Sequence, residues 1–235
     1  MIFDNSKIIV NFCKLQIFCI KLYKKNNEYA RNRKKRKPKI RKIPSYLVYE
    51  ELNGKPLPYK GYLDVLSGKK KFEEIRYNSS LKSVLTFTIS SFIGNLITNN
   101  KNFIVAINAN LHIGHGENLA NDIAIYEKEN TIFDEKYFSK APKIVIEIDI
   151  KIDLSETNGA ATRWTNEWDY VIEKSKKMLD FGTEKVIWIT TKSKKIFVSS
   201  PTERWYMVNF DEDIPLFDNI TLNLAKLIEE EDIVF

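Results

Sequence analysis

The chain has 235 residues, with 37 Lys and Arg against 31 Asp and Glu, and 43% of its residues are hydrophobic. That length suits one domain of ordinary size with an appendage, and the apolar content is enough to bury a core. No apolar run reaches the ~20 residues a membrane-crossing helix needs. Eight Gly and seven Pro are too few for a low-complexity or collagen-like chain, and Cys13 and Cys19 are the only cysteines, so a disulfide framework and a thiolate zinc site are excluded beyond residue 20.

The charge is unevenly spread. Residues 21–43 hold twelve Lys and Arg and one acid, Glu28, for a net +11, residues 1–20 carry +1, and residues 44–235 carry −6. The sequence therefore divides into a basic N-terminal extension, 1–43, expected to be flexible, and an acidic domain, 44–235. Charge this dense in Arg31–Lys42 resists compaction and attracts nucleic-acid phosphates; a solvated tail is the plainer reading. Upstream, Ile8–Ile20 is apolar but interrupted by Asn11, Lys14 and Gln16. It lacks the small-residue cleavage site of an export signal, so a reducing cytoplasmic compartment is expected. A short element lying on the domain and a non-native extension both remain open.

Within the domain, Tyr46–Leu52 alternates and ends at the Asn53-Gly54 turn. Residues 55–66 read as an extended segment and then a short helix. Ser79 or Ser80 caps a helix whose apolar positions Leu81, Val84, Leu85, Ile89, Phe92, Ile93 and Leu96 fall at helical spacing. Strands follow at Phe103–Ala109, at Asp122–Tyr126 after a loop with Gly114, Gly116 and Asn118, and at Lys143–Ile152. A polar loop leads to a helix over Trp168–Phe181 that Gly182 terminates. Strands at Lys185–Thr191, Ile196–Ser199 and Trp205–Phe210 and a last helix over Leu222–Glu230 complete the chain. This order predicts an α/β (mixed α+β) fold with a central mixed sheet flanked by helices.

Chemistry concentrates on Lys143-Ile-Val-Ile-Glu-Ile-Asp-Ile-Lys151. Strand alternation puts Ile144, Ile146, Ile148 and Ile150 on one face and Val145, Glu147, Asp149 and Lys151 on the other. A solvent-facing strand could carry the same pattern. Asp122 starts a neighbouring strand 25 positions before Glu147, and carboxylates meeting across two strands beside a lysine suit a hard cation such as Mg²⁺ (or Mn²⁺). Such an ion activates water and withdraws charge from a phosphoryl oxygen, while the lysine supports negative charge as it develops.

Asp122 followed by Glu147-Ile-Asp149-Ile-Lys151 resembles the PD-(D/E)XK nuclease superfamily. Residues from about 49 to the C-terminus resemble more closely a bacterial restriction-endonuclease-like family of unknown function. That likeness is carried by Glu51-Leu-Asn-Gly-Lys-Pro, Tyr59-Lys-Gly-Tyr, Asn121-Asp-Ile-Ala-Ile-Tyr, Ile146-Glu-Ile-Asp-Ile-Lys and the Lys174–Ile189 stretch with Leu-Asp-Phe-Gly and Val-Ile-Trp-Ile. The resemblance implies a restriction-endonuclease-like fold and a Mg²⁺-dependent endonuclease acting on DNA. Asp122 and Glu147, with Asp149, are its implied metal ligands, and Glu51 lies where the family commonly has an acid. The lysine is left between Lys151, two residues after Asp149, and Lys174, eight before Gly182. Asn121 stands where the superfamily name has Pro.

Each of these residues also has a plainer reading. Lys174 falls at the edge of a stripe formed by Val171, Ile172, Ser175, Met178 and Leu179, where a lysine lays its stem on the core and solvates its head. Glu51 reads equally as a surface strand residue. His112 and His115, without Cys partners, read as loop surface rather than a zinc site, Tyr126 as a packed aromatic, and the four Trp as core. DNA is the expected partner, a membrane is not, and a homodimer is left open. The competing function is a silent nuclease-fold module that binds nucleic acid or a protein.

Overall fold

A single strand, Glu117–Glu127, organises the sheet. The computed structural model describes residues 43–98, 102–129, 131–154, 166–217 and 219–235. The basic arm and the loop at 155–165 lie outside the described residues, and residues 43–235 form one compact unit.

Strands β1 (Val48–Leu52) and β2 (Lys55–Pro58) form a hairpin. Its turn, Asn53-Gly54, has φ of 54° and 70°, the left-handed pair that a two-residue hairpin favours. Two short helices follow, α1 (Tyr62–Leu66) and α2 (Phe72–Arg76), then the long α3 (Ser80–Leu96). Ser79 caps α3 by accepting from the Lys82 amide at 3.2 Å. Strands β3 (Phe103–Gly114) and β4 (Glu117–Glu127) pair along their length. After β5 (Ile144–Ile148), helix α4 (Glu167–Phe181) crosses to β6 (Lys185–Thr190), which runs parallel to β5. Asn166 caps the start of α4, and Gly182, at φ 119°, ends it. Strands β7 (Lys195–Ser199) and β8 (Tyr206–Asn209) extend the sheet antiparallel. A small hairpin, β9 (Ile214–Phe217) with β10 (Ile220–Leu222), and helix α5 (Leu224–Glu230) complete the chain.

The eight-stranded sheet has the order β2-β1-β4-β5-β6-β7-β8, with β3 also paired to β4. Its pairing around β4 forms a fork. Strand β3 takes one edge of β4; the other edge is shared, with β1 meeting it at Asn118 and β5 from Ile123 to Ile125.

Apolar residues cover both faces. On one, Leu85, Ile89 and Ile93 of α3 and Leu224 and Leu227 of α5 pack with Ile123, Ile144, Ile146, Ile148 and Ile187. On the other, Tyr170, Val171 and Met178 of α4 pack with Leu119, Val145, Val186 and Trp188. The mixed sheet with flanking helices is therefore as the element order predicts. Among the described residues no helix is long and apolar enough to cross a membrane.

Three local expectations are corrected. Strand β4 begins at Glu117, not at Asp122, because the hairpin turn is confined to His115-Gly116 and Asn118 and Asn121 are strand residues. His112 thus lies in β3, exposed, with its ring Nδ1 2.7 Å from Asn118 Oδ1. Strand β5 ends at Ile148, since Asp149 has φ 52° and turns the chain out of the pleat. The small β9–β10 hairpin carries no alternation long enough to have been read.

The turn before β4 touches the turn after β1. Gly54 N donates to Gly116 O at 2.9 Å, and a Cβ on Gly116, whose φ is +71°, would lie 2.8 Å from Gly54 Cα. Gly116→Ala is therefore expected to cost about 2–4 kcal/mol, combining a left-handed backbone with a backbone clash. Gly114→Ala, with nothing within 4 Å, should stay within about 1 kcal/mol. Chemical denaturation of both variants measures the contrast; equal losses would contradict it.

Candidate active site at the sheet fork

Between Asn118 and Ile123 the forked edge of β4 has no strand beside it. Side chains take its place. The Ala120 amide donates to Glu50 Oε2 at 3.2 Å, and Lys174 Nζ donates to Ala120 O at 2.7 Å. At the end of β5 the Ile148 amide donates to Asp122 Oδ2 at 2.8 Å, and Lys82 Nζ donates to Ile148 O at 2.5 Å. Buried backbone groups need partners, and four charged side chains supply them here.

The same side chains pair with one another. Lys174 Nζ is 2.9 Å from both Glu50 Oε2 and Glu147 Oε1, and Lys82 Nζ is 2.6 Å from Asp122 Oδ2. Tyr170 donates to Glu50 Oε1 at 2.6 Å. Glu50, Lys82, Asp122, Glu147, Tyr170 and Lys174 are each at most 4% exposed. Three oxygens surround the Lys174 ammonium, as many as it has protons. The rings of Tyr170 and Trp188 also flank it, with centroids 5.9 and 5.5 Å away. Glu147 Oε1 meets that ammonium as an ion pair without a well-aligned hydrogen bond.

Burial pushes the Glu147 carboxyl up to about 8; Lys174 pulls it down, and Asp122 pushes it further up. For Lys174 burial alone would favour the neutral amine, but Glu147 and Glu50 outweigh it and raise its pKa. Tyr49 is raised well above the usual phenol range by burial, then by Asp122, Glu147 and Glu50.

The structure brings together Asp122, Glu147 and Lys174 of the predicted set. It does not bring Asp149 or Glu51 to them. Asp149 leaves the strand and accepts from the Thr191 amide at 2.9 Å and the Thr191 hydroxyl at 2.6 Å. Glu51 faces the other side of β1 and accepts from Asn118 Nδ2 at 2.6 Å. Lys151 stays at the margin: its ammonium is 5.8 Å from the Tyr49 ring, 3.4 Å from Arg76 O, and within electrostatic range of Lys82, Asp122 and Glu147. Burial and Lys82 lower its pKa against the pull of the two acids.

Among the described residues no group of three or more His, Cys, Asp and Glu is set to hold a metal ion, so the Asp122–Glu147–Asp149 ligand set is not assembled. The donors that are present suit a hard cation all the same: two carboxylates, from Asp122 and Glu147, and the Ile148 carbonyl.

No family model and no curated protein matches the chain. Among solved structures it is similar to a crystal structure described as a "putative nuclease belonging to DUF820" from Anabaena variabilis, at 16% identity and a TM-score of 0.55, over 77% of this chain and 89% of that one. At that identity the likeness is one of fold. The chain shares its fold with that protein.

Sequence reasoning passed over Glu50, Lys82 and Tyr170. Glu50 shares the face of buried Leu52. Lys82 sits three residues before Leu85 on the buried stripe of α3. On α4 the stripe contains Tyr170 and leaves Ile172 40% exposed, which moves Lys174 from the predicted edge to the middle.

The raised Glu147 pKa sets a pH dependence. Burial raises the Glu147 pKa from 4.5 to about 8 against the pull of Lys174, so the charged Glu147–Lys174 pair is complete only toward the top of that range. The folded state thus binds more protons in between, and stability falls as pH rises. Measured with chelator present, the stability of the wild type relative to Glu147→Gln should decline from about pH 5 to pH 8, by up to ~1.4 kcal/mol per pH unit. A difference independent of pH would contradict this.

Proposed function

We propose that this chain is a metal-dependent phosphodiester hydrolase of the PD-(D/E)XK kind, acting on DNA. The observation that carries the reading is the juxtaposition of Asp122 and Glu147 on adjoining antiparallel strands, beside a buried lysine, in a nuclease-like fold. Asp122, Glu147 and the Ile148 carbonyl would hold a Mg²⁺ or Mn²⁺ ion. The bound ion would supply an activated water and draw charge from the scissile phosphoryl group.

The chain's own groups prepare that position. Glu50 and Tyr170 fix the Lys174 ammonium, and Lys174 fixes the Glu147 carboxylate, so the acid is held in place. Lys174 is in this reading a positioning residue, because its ammonium already lies within 2.9 Å of three oxygens. Lys151, nearer the margin and with a lowered pKa, is the lysine available to a phosphate. The basic arm supplies the long-range attraction for DNA that the net −6 of residues 44–235 does not.

A second reading, a silent nuclease-fold module, is favoured by a separate observation: Asp122 and Glu147 are each 2% exposed and paired with ammonium groups. Cleavage of plasmid, single-stranded and branched DNA separates the two. With Mg²⁺ or Mn²⁺ the wild type should cut, and Asp122→Asn and Glu147→Gln, which keep shape, should lose at least about 100-fold in rate. Cutting that persists in both variants, or a folded wild type that binds DNA without cutting it, would overturn the hydrolase reading. In the same assay, removal of residues 1–43 should flatten the salt dependence of DNA binding; an unchanged slope would remove the arm from it.

A further inference from the structure

Lys82 is the charged residue of the site that no catalytic role requires. It belongs to α3, on the sheet face opposite α4, and its backbone is pinned. Its amide donates to the Ser79 cap at 3.2 Å and its carbonyl accepts from Thr86 Oγ1 at 2.7 Å. Its side chain is 5% exposed. A lysine on the buried stripe of a helix normally carries its ammonium out to water. Here the ammonium stays inside, 2.6 Å from Asp122 Oδ2 and 2.5 Å from Ile148 O.

Those two oxygens are two of the three donors assigned above to a divalent ion. The two lysines of the site therefore differ in kind. Lys174 holds Glu50, Glu147 and the Ala120 carbonyl, and of these only Glu147 is a proposed ligand. Lys82 holds the Asp122 carboxylate and the Ile148 carbonyl together. A metal ion binds such oxygens at ~2.0–2.1 Å. It would take the ammonium's place or lie against it, and two cations sharing one pair of oxygens repel strongly in a buried site.

We propose that Lys82 is the resident counter-cation of this site: its ammonium occupies the oxygens that a divalent ion would take, and it sets how tightly that ion binds. The inference rests on the metal-holding reading above and goes beyond it by giving the metal-free site its own cation. With no metal bound, Lys82 neutralises Asp122 and satisfies the Ile148 carbonyl, so the fork stays closed and paired. Metal binding then requires the Lys82 side chain to withdraw, and the measured affinity is the difference between the two cations.

The test is Mn²⁺ titration calorimetry with thermal melting of the full chain, comparing wild type, Lys82→Met, Lys82→Gln and Asp122→Asn. Lys82→Met should melt lower than wild type in chelator, bind Mn²⁺ at least about tenfold more tightly, and regain more melting temperature on adding Mn²⁺ than wild type does. Where Lys82→Met fails to fold without metal, Lys82→Gln, which keeps a neutral donor toward Asp122, reads the same direction. Asp122→Asn should abolish the Mn²⁺ response. Wild type that binds Mn²⁺ through Asp122, with Lys82 variants that bind it no more tightly, would overturn the role of Lys82 and leave the metal reading standing. Folded wild type and Lys82 variants that all fail to bind Mn²⁺ would overturn both.

Discussion

Five ionisable side chains are buried where β4 parts from β1 and pairs with β5, and the rest of the site follows from keeping them there. Three are acids, Glu50, Asp122 and Glu147, and two are bases, Lys82 and Lys174. Burying any one alone would be prohibitive, and removing one partner of a buried pair costs about 3–5 kcal/mol. Each is tolerated because it answers another charge and, for four of them, a backbone group that the fork leaves without a strand. The Ala120 amide and carbonyl meet Glu50 and Lys174, and the Ile148 amide and carbonyl meet Asp122 and Lys82. The polar network therefore serves as a patch in the sheet as well as a cluster of buried ionisable groups.

That double duty explains the strictness of the surroundings. Trp188 donates to Ser175 Oγ at 2.9 Å and stacks its edge on Tyr170, 5.8 Å between centroids. This fixes the α4 face from which Lys174 reaches across to β1 and β4. From the other side, α3 delivers Lys82 to the end of β5. Two helices on opposite faces of one sheet thus send a lysine each into the same gap, and the sheet supplies the acids. Asn121, buried beside Asp122 with neither amide atom bonded among the described residues, is a local cost of placing the acid there.

Much of this could be read from the chain before any coordinates. Glu147 is legible from the strand alternation of residues 143–151 and Asp122 from the short strand 25 positions earlier, and the Ser79 cap and Gly182 terminus mark the helices that flank them. The failures have specific causes. Alternation extended past Ile148 put Asp149 and Lys151 on the Glu147 face, but a left-handed residue at 149 ends the pleat, and sequence pattern does not show φ. Glu50 and Glu51 are adjacent acids, and parity alone could not say which faces inward; the register irregularity between Val48 and Glu50 blurs it further. Lys82 was the clearest missed signal. A lysine in phase with Leu85, Ile89 and Ile93 either snorkels or has a buried acid waiting, and the second is the case. The buried stripe around Lys174 runs through Tyr170 rather than Ile172, and the apolar pattern alone favours Ile172.

A crystal of the full chain soaked in Mn²⁺ and measured at the manganese absorption edge tests the site most directly. An anomalous peak bounded by Asp122, Glu147 and the Ile148 carbonyl, with the Lys82 ammonium moved off Asp122, is the expected result. Loaded crystals with no peak there, and with Lys82 still seated on Asp122 and Ile148, would leave a buried ionic patch and no metal centre.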